Sequence, residues 1–479
     1  MRRFRVYDTR TREARLFVPI TPPKVGLFVC GLTPYADAHI GHAKTAVTFD
    51  VVARALSRWG YRVFYVQNVT NLDDRLIARG AQEGVDPLLL ADRHFASWRL
   101  AMARLDVRSV NYYPHATDYL PEIIAQIHAL VDRGFAYASG GSVYYDVARF
   151  PDYGRLSGQR VDALRPGTRL EVDGDKRAPE DFVLWKAATP GEPTWESPWG
   201  PGRPGWHIED TAITVRLLGA RYDIHGGGVD LKFPHHEAEI AQAEAATGEA
   251  PLVNVWMHVG MLTLGGEKMS KSVGNVVGLD DALASYGPMA LRFYYLNAHY
   301  RSPLDYLAGR SLEEATEALA TLLAPYRRLL DAGGDAAAGR ELPDELAAAA
   351  EATVEGMDAD LADDFNTREA LARLFAWGRT IGPITERADE WSSDARDTLA
   401  RPYLWAADVL GLGPDVGGER LRERLAPVVE VALASRQRAR ERGDFGEADR
   451  IRNELTAAGI AVEDGAGGAR WTVVRGPGS

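Results

Sequence analysis

Apolar positions at Val25, Leu27, Phe28 and Val29 run up to Cys30 and predict a strand. A loop broken by glycine and proline follows, and from His39-Ile40-Gly41-His42 the apolar positions take up a helical period. The next apolar run, Tyr61–Val69, lies at the separation expected of a parallel βαβ unit. In such a unit the loop and helix start sit at the carboxyl end of the sheet, where backbone N–H groups and the helix dipole favour a phosphate. A nucleotide site is therefore the first expectation, with residues 1–130 forming the first half of its sheet.

The polar stretch Thr70-Asn71-Leu72-Asp73-Asp74 follows that second strand. It can face a substrate amine or cap a helix over Asp73–Gly80, and the pattern leaves both open. From Gly134 to Arg203 the chain turns to glycine, proline, tryptophan and short strand-like runs such as SVYYDV, which predicts an inserted subdomain over 131–205. Alternation of strand and helix resumes over 206–275, with a strand ending in a triple-glycine turn at 226–228, a helix beginning near Pro234 and a strand over Leu252–Val259. Amphipathic helical patterns then dominate 276–410 (Asp280–Tyr286, Leu291–Tyr295, Leu312–Ala332, Pro343–Leu361, Asn366–Ile381) and predict a bundle. Gly411–Gly418 reads as a linker. A helical Leu421–Ala458 and a strand at Trp471-Thr472-Val473-Val474 make a small terminal domain over 419–479.

Composition narrows this picture only modestly. The 479 residues are 46% hydrophobic and 25% charged, ordinary for a globular protein of several domains. A net charge of −12 argues against a general basic coat for nucleic acid but permits a local groove. The single cysteine excludes an intrachain disulfide and suits a reducing compartment. The N-terminal arginines precede no apolar core of a signal peptide, and no run is long enough to span a membrane. The cytoplasm is the expected location, with no membrane partner.

Candidate chemistry concentrates in two short motifs. Imidazoles at His39 and His42 can donate hydrogen bonds to charge developing on a phosphate, and Gly41 lets a flat base approach the backbone. Two surface histidines at a helix start would look the same. Far downstream, Glu267-Lys268-Met269-Ser270-Lys271-Ser272 follows Gly265-Gly266 and brings two ammonium groups suited to a departing pyrophosphate. HIGH at 39–42 with KMSKS at 268–272 resembles the paired signature of class I aminoacyl-tRNA synthetases.

The resemblance extends along nearly the whole chain and is to one family. FVCGLTPYADAHIGHAKT, NVTNLDDRLI, PGRPGWHIE, DIHGGGVDLKFPHHEAEIAQ, EKMSKSVGN, LRFYYLNAHYRSPLDY, DDFNTREAL and the tail EADRIRNELTAAGIAVEDGAGGARW are similar to cysteinyl-tRNA synthetase segments, in that family's order. The implied fold is α/β: a class I synthetase Rossmann-type nucleotide-binding domain with an inserted subdomain, then a helical bundle and a small C-terminal domain. The implied reaction is ATP-dependent activation of an amino acid, cysteine by resemblance, as an aminoacyl-adenylate, with transfer to tRNA (tRNA-Cys) and Mg2+ accompanying ATP. His39 and His42 would serve the phosphates, Gly41 the nucleotide, and Lys268 and Lys271 the β- and γ-phosphates. Amino-acid contacts would fall to Cys30, Thr70, Trp206, Asp210 and His235. A shorter relative that joins cysteine to a glucosaminyl-inositol shares the catalytic part, but it lacks the C-terminal portion present here.

The family also implies Zn2+, whose open position takes the substrate thiolate and separates SH from OH. Its ligands map onto Cys30, position 210, His235 and Glu239, with His235 and Glu239 one helical turn apart. Where the family reads WHIEC, this chain has Trp206-His207-Ile208-Glu209-Asp210. A carboxylate can ligate zinc, and the formal ligand charge is unchanged, yet a soft donor becomes a hard one. HHEAE is not a zinc-protease motif, because Ile240 stands where a second histidine is needed. Three readings follow: a cysteinyl-tRNA synthetase with a variant metal site, a paralogue that activates another amino acid or serves a biosynthetic pathway, and a non-catalytic tRNA- or nucleotide-binding relative. Intact HIGH and KMSKS disfavour the third.

Overall fold

A computed structural model of the chain describes residues 1–159, 174–269, 276–332, 339–413, 419–458, 460–465 and 468–473. Two short antiparallel strands, β1 (Arg5–Asp8) and β2 (Glu13–Leu16), open the chain. The βαβ unit follows as β3 (Lys24–Leu32), α1 (Ile40–Arg58) and β4 (Arg62–Val69). Helices α2 (Asp74–Glu83), α3 (Pro87–Arg104) and α4 (Leu120–Asp132) lead into a separate antiparallel sheet of β5 (Ala136–Ser139), β6 (Ser142–Tyr145), β7 (Phe182–Ala187) and β8 (Gly202–Pro204). The chain then returns through α5 (Ile208–Leu218), β9 (Tyr222–Gly228), α6 (His235–Thr247) and β10 (Val253–Val259).

Strands β10, β9, β3 and β4 pair in that order, all parallel, with Phe28 opposite both His225 and Val66. Because β3 connects onward to β4 on one side while β9 flanks it on the other, the strand order reverses beside β3. The carboxyl ends of β3 and β9 therefore border the crevice where such sheets bind ligands. Burial on both faces explains the continuous apolar run in β3. Leu27 and Val29 join one core with Phe49 and Val52 of α1, whereas Phe28 and Cys30 join a second core with Ile123 of α4, Ile213 of α5 and Ile240 of α6. The two-residue period of the strand thus sends Cys30 to the α5–α6 side.

Beyond β10 come β11 (Leu262–Leu264), β12 (Glu267–Lys268), α7 (Leu279–Tyr286), α8 (Pro288–Leu296) and β13 (Leu304–Tyr306). The helical region comprises α9 (Ser311–Asp331), α10 (Asp344–Leu361), α11 (Thr367–Thr385) and α12 (Ser393–Trp405), which runs on into a π-helical turn over Ala406–Leu410. The terminal portion contains α13 (Glu419–Glu441), α14 (Phe445–Ala457), β14 (Ile460–Gly465) and β15 (Gly468–Val473).

Three expectations change. Gly226–Gly228 belong to strand β9 rather than to a turn, because a Cβ on Gly226 would lie 2.1 Å from the Phe49 ring and one on Gly227 2.9 Å from His236. These glycines admit close packing rather than a reversal. The expected single helix over Leu421–Ala458 is two helices, broken at Gly443, whose φ of 74° is left-handed. The expected strand at Trp471 is the end of β15, which pairs with β14 as a hairpin. Helix α12 has no counterpart among the expected helices, its amphipathic pattern being short and interrupted by Pro402. The expected linker at Gly411–Gly418 lies partly outside the described residues.

A buried ion cluster joins α8 to α1 and to the end of α3. Arg292 of α8 meets Asp50 of α1 at 2.5 Å and the Leu105 carbonyl at 2.8 Å, while Arg54 meets Asp50 at 2.9 Å. Although burial opposes it, the Arg54 and Arg292 guanidiniums hold the Asp50 carboxyl far below the usual carboxylate range.

Candidate active site

Helix α1 begins with a reciprocal cap made by the two histidines. His39, in extended backbone conformation, is the N-cap, and its Nδ1 accepts the Gly41 N–H at 3.1 Å. The His42 Nδ1 accepts the His39 N–H at 3.4 Å, and the two rings stack with centroids 3.7 Å apart. With both Nδ1 atoms accepting, a neutral ring carries its proton on Nε2, a donor pointing away from the cap. Gly41 has a local reason of its own. A Cβ there would lie 2.9 Å from the His39 Nδ1, so any side chain would displace the His39 ring that the helix start relies on.

The segment carrying the second motif is tied to this helix start. Ile40 N donates to the Val277 carbonyl at 3.2 Å and Leu279 N to the Ala38 carbonyl at 3.0 Å. Lys44, one turn into α1, is buried and donates to the carbonyls of Gly260 at 2.6 Å and Ser302 at 2.9 Å. Burial lowers its pKa to about 8. Lys268 lies on β12, paired through its backbone to Thr263, and Lys271 lies outside the described residues.

On the other side of the β3 terminus, Cys30 is surrounded by groups from α5, β9 and α6. Its Sγ lies 3.4 Å from Asp210 Oδ2, 3.3 Å from His225 Nε2, 3.2 Å from His236 Nε2 and 3.6 Å from Glu239 Oε1. His235 Nε2 meets Asp210 at 3.0 Å and Glu239 at 3.1 Å. The structure therefore brings Cys30, Asp210, His235 and Glu239 together, and adds His225 and His236. Those two additions escaped the sequence reading. Only the doublet at 235–236 and a histidine at the carboxyl end of an apolar strand hinted at them, and adjacent residues on a helix do not ordinarily share a face.

The outer contacts orient these groups. Asn68 donates to Asp210 Oδ1 through Nδ2 and accepts the Gly31 N–H through Oδ1 at 2.7 Å. Thr70 donates to the buried Glu209 at 2.7 Å. Asp73 caps α2 by accepting the Leu76 N–H at 2.8 Å, and Asp74 meets Lys186 at 2.8 Å and also Arg203. The acidic stretch after β4 is thus engaged with the protein itself. Trp206, 37% exposed, stacks on the His235 ring at 4.6 Å and marks the open side of the cluster. A cavity of about 480 Å³ between α1, α10 and α12, lined by Arg58, Asp358, Arg401 and Trp405 among others, contains none of the expected site residues.

The donor set fits a metal ion. Without a cation, burial pushes the Cys30 thiol and the Glu239 carboxyl upward, reinforced at Cys30 by Glu239 and Asp210 and at Glu239 by Asp210. Burial drives the His225 and His236 imidazoles toward neutrality. Glu239 Oε2 is buried with no hydrogen-bond partner. A divalent cation would supply the missing positive charge and the missing partner.

Comparison with known proteins matches residues 16–317 to the family description "tRNA synthetases class I (C) catalytic domain" and residues 422–471 to "Cysteinyl-tRNA ligase anticodon binding domain". The cysteine–tRNA ligase of Dehalococcoides mccartyi (strain BAV1) is 43% identical over 469 residues, covering 98% of this chain and 99% of the relative. That of Methylococcus capsulatus is 44% identical over 478 residues, with the same coverage. The chain belongs to the cysteinyl-tRNA synthetase family.

Solved structures of other class I synthetases share the fold. The Mycobacterium tuberculosis methionyl-tRNA synthetase bound to methionyl-adenylate superposes with a TM-score of 0.58 at 16% identity, over 84% of this chain and 93% of that one. The Agrobacterium radiobacter LeuRS–tRNA–LeuAMS ternary complex gives 0.58 at 11% identity, over 85% and 86%. Among the described residues of this cysteinyl-tRNA synthetase family member, no helix is long and apolar enough to cross a membrane.

Proposed function

We propose that the protein activates cysteine with ATP and transfers the cysteinyl group to tRNA. The observation that carries this reading is identity of 43–44% to cysteine–tRNA ligases along 98% of the chain, through both the catalytic and the anticodon-binding matches. The match over 422–471 favours tRNA over a small-molecule acceptor.

In the first step the amino-acid carboxylate attacks the ATP α-phosphate, a mixed anhydride forms, and pyrophosphate leaves. In the second, a tRNA ribose hydroxyl attacks the acyl carbon and AMP leaves. Neither step requires a nucleophile from the protein, whose contribution is positioning and charge stabilisation. The Nε2–H groups of His39 and His42, held outward by their own cap, would donate to phosphate oxygens as charge builds there. Lys268 and Lys271 would neutralise the departing pyrophosphate, with Mg2+ travelling with ATP. Trp206 over His235 would cover the amino-acid side chain.

Cys30 and Glu239 are common to every metal donor set in the cluster, and the family correspondence completes the set with Asp210 and His235. Zinc bound there would supply a sulfur-preferring coordination position. The reading is tested by ATP–pyrophosphate exchange across a panel of amino acids. Exchange stimulated by cysteine well above serine and alanine is the expected result. A second reading, activation of another amino acid, draws on one observation: Asp210 is a buried carboxylate at the position where the family has a thiolate. Exchange with a different amino acid and none with cysteine would favour it.

A further inference from the structure

We propose that Asp305 is a positioning residue for amino-acid activation: its carboxylate fixes the turn of the hairpin that carries Lys268. The proposal rests on the reading that Lys268 serves the departing pyrophosphate.

The hairpin is weakly held by its own strands. β12 is the edge strand of a sheet ordered β12, β11, β13, and it meets β11 through two residue pairs, Leu264 with Glu267 and Thr263 with Lys268. Gly265 and Gly266 make the two-residue turn between them, with φ of 60° and 84°, the left-handed values that such turns need at both positions. Both glycines are exposed, and a Cβ on either would meet nothing within 4 Å. Apolar packing therefore does not hold the turn, and a hairpin this short is marginal without a further anchor.

Asp305 supplies that anchor from β13. In the parallel register of β11 with β13 it stands beside Thr263, the residue paired with Lys268. Its Oδ1 accepts hydrogen bonds from the Thr263 hydroxyl at 2.7 Å and from the Gly266 N–H at 2.8 Å, so one oxygen ties strand β11 to the turn. The Gly266 N–H and the Thr263 hydroxyl also hold the carboxyl below its usual range.

Neighbouring tyrosines of α8 place this anchor relative to the helix start at His39. Tyr294 donates to the Asp305 carbonyl at 3.0 Å, and Tyr295 donates to the Ile40 carbonyl at 2.8 Å. Leu304 N donates to the Met261 carbonyl at 2.9 Å, and Lys44 of α1 bridges the carbonyls of Gly260 and Ser302. The backbone at Asp305 is thereby set against α1, and the carboxylate extends that frame to the turn just ahead of Lys268. An ammonium that must meet a phosphate gains from such a frame, because misplacement by about 1 Å can cost about 10²-fold in rate. Asp305 acts through the hairpin rather than on the substrate.

Single-turnover adenylate formation and the KM for the amino acid that the wild type activates, measured on the full-length protein, test the proposal. Asp305→Ala is expected to slow adenylate formation roughly tenfold, with the KM within about twofold of wild type. Asp305→Asn keeps an Oδ1 acceptor for both donors and is expected to stay within about threefold of the wild-type rate. Lys268→Ala combined with Asp305→Ala is expected to be no slower than Lys268→Ala alone, because both changes remove the same contribution. A wild-type rate in Asp305→Ala, equal losses in its alanine and asparagine variants, or additive losses in the double variant would overturn the positioning role. If Asp305→Ala does not fold, Thr263→Val, which removes one of the two bonds, takes its place in the same cycle with an expected loss of about threefold. An unimpaired Lys268→Ala overturns the reading of Lys268 and the proposal with it, whereas an impaired Lys268→Ala beside an unimpaired Asp305→Ala overturns the proposal alone.

Discussion

The start of α1 and the Cys30 cluster flank the same end of β3 but are built in opposite ways. His39, Gly41 and His42 cap the helix within a single turn, so this helix start is complete in four consecutive residues. The cluster takes Cys30 from β3, Asp210 from α5, His225 from β9 and His235, His236 and Glu239 from α6, with Asn68 of β4 and His258 of β10 behind them. A contiguous site survives any change in distant packing that leaves its helix intact. An assembled one depends on the register of every strand that feeds it. Under the proposed function the first would serve the phosphates and the second the amino-acid side chain.

The sharpest way to separate the two is to disable phosphate chemistry alone. Lys271→Ala should lower the rate of adenylate formation by about 10²–10³-fold, with little change in the KM for the amino acid, because the ammonium acts on charge that develops in the transition state. Pre-steady-state pyrophosphate release measures it, and equal losses in rate and amino-acid binding would contradict that role. Zinc content should be unchanged.

The converse is Cys30→Ser, which removes the thiolate common to both donor sets. Metal affinity should fall roughly tenfold to a hundredfold, while ATP binding, followed calorimetrically, should stay near wild type. A coincident loss of ATP binding would mean that the two halves are not separable.

Asp210→Cys sharpens the comparison within the cluster. A second thiolate should tighten metal binding by about tenfold and intensify the sulfur-to-cobalt charge-transfer band of the cobalt-substituted protein. Activation of cysteine should persist. If Asp210 instead contacts a non-cysteine side chain, the same change abolishes activation of the native substrate.

The smallest effect is expected at Lys44, which binds the helix-start side to Gly260 and Ser302. Lys44→Met removes the buried ammonium that bonds the Gly260 and Ser302 carbonyls and should cost about 1–3 kcal/mol at pH 7 in urea unfolding, with metal content unaltered. Its folded pKa of about 8 lies below the ordinary 10.5, so between those values the unfolded chain holds more protons. Wild-type stability should therefore rise across that window by up to about 3 kcal/mol from this group, a rise that Lys44→Met flattens. A variant that keeps the rise would assign it to another group.

What could be read from the chain alone follows the same divide. The βαβ start is local in sequence, and the period of the apolar positions predicts it; HIGH at 39–42 and KMSKS at 268–272 stand out as a pair only through the resemblance. Cys30, Asp210, His235 and Glu239 were grouped by family resemblance rather than by any pattern, and Thr70 and Trp206 came the same way. In the structure Thr70 donates to Glu209, a partner 139 positions away. Glycines 226–228 read as a turn because their composition is that of a turn, yet the Phe49 ring and His236 require their bareness inside a strand.

Sequence by itself therefore determined the helix start at His39–His42, the resemblance to the family, and the substitution at position 210. Only the tertiary structure decided what surrounds Cys30. The parallel register that sets Phe28 beside His225, and the α6 turn that brings His235, His236 and Glu239 to one sulfur, arise from pairing and packing across 209 positions of chain. Hydrophobic periodicity specifies which face of each element is buried, but not which polar groups meet there, because that depends on strand order and on how deeply each helix docks.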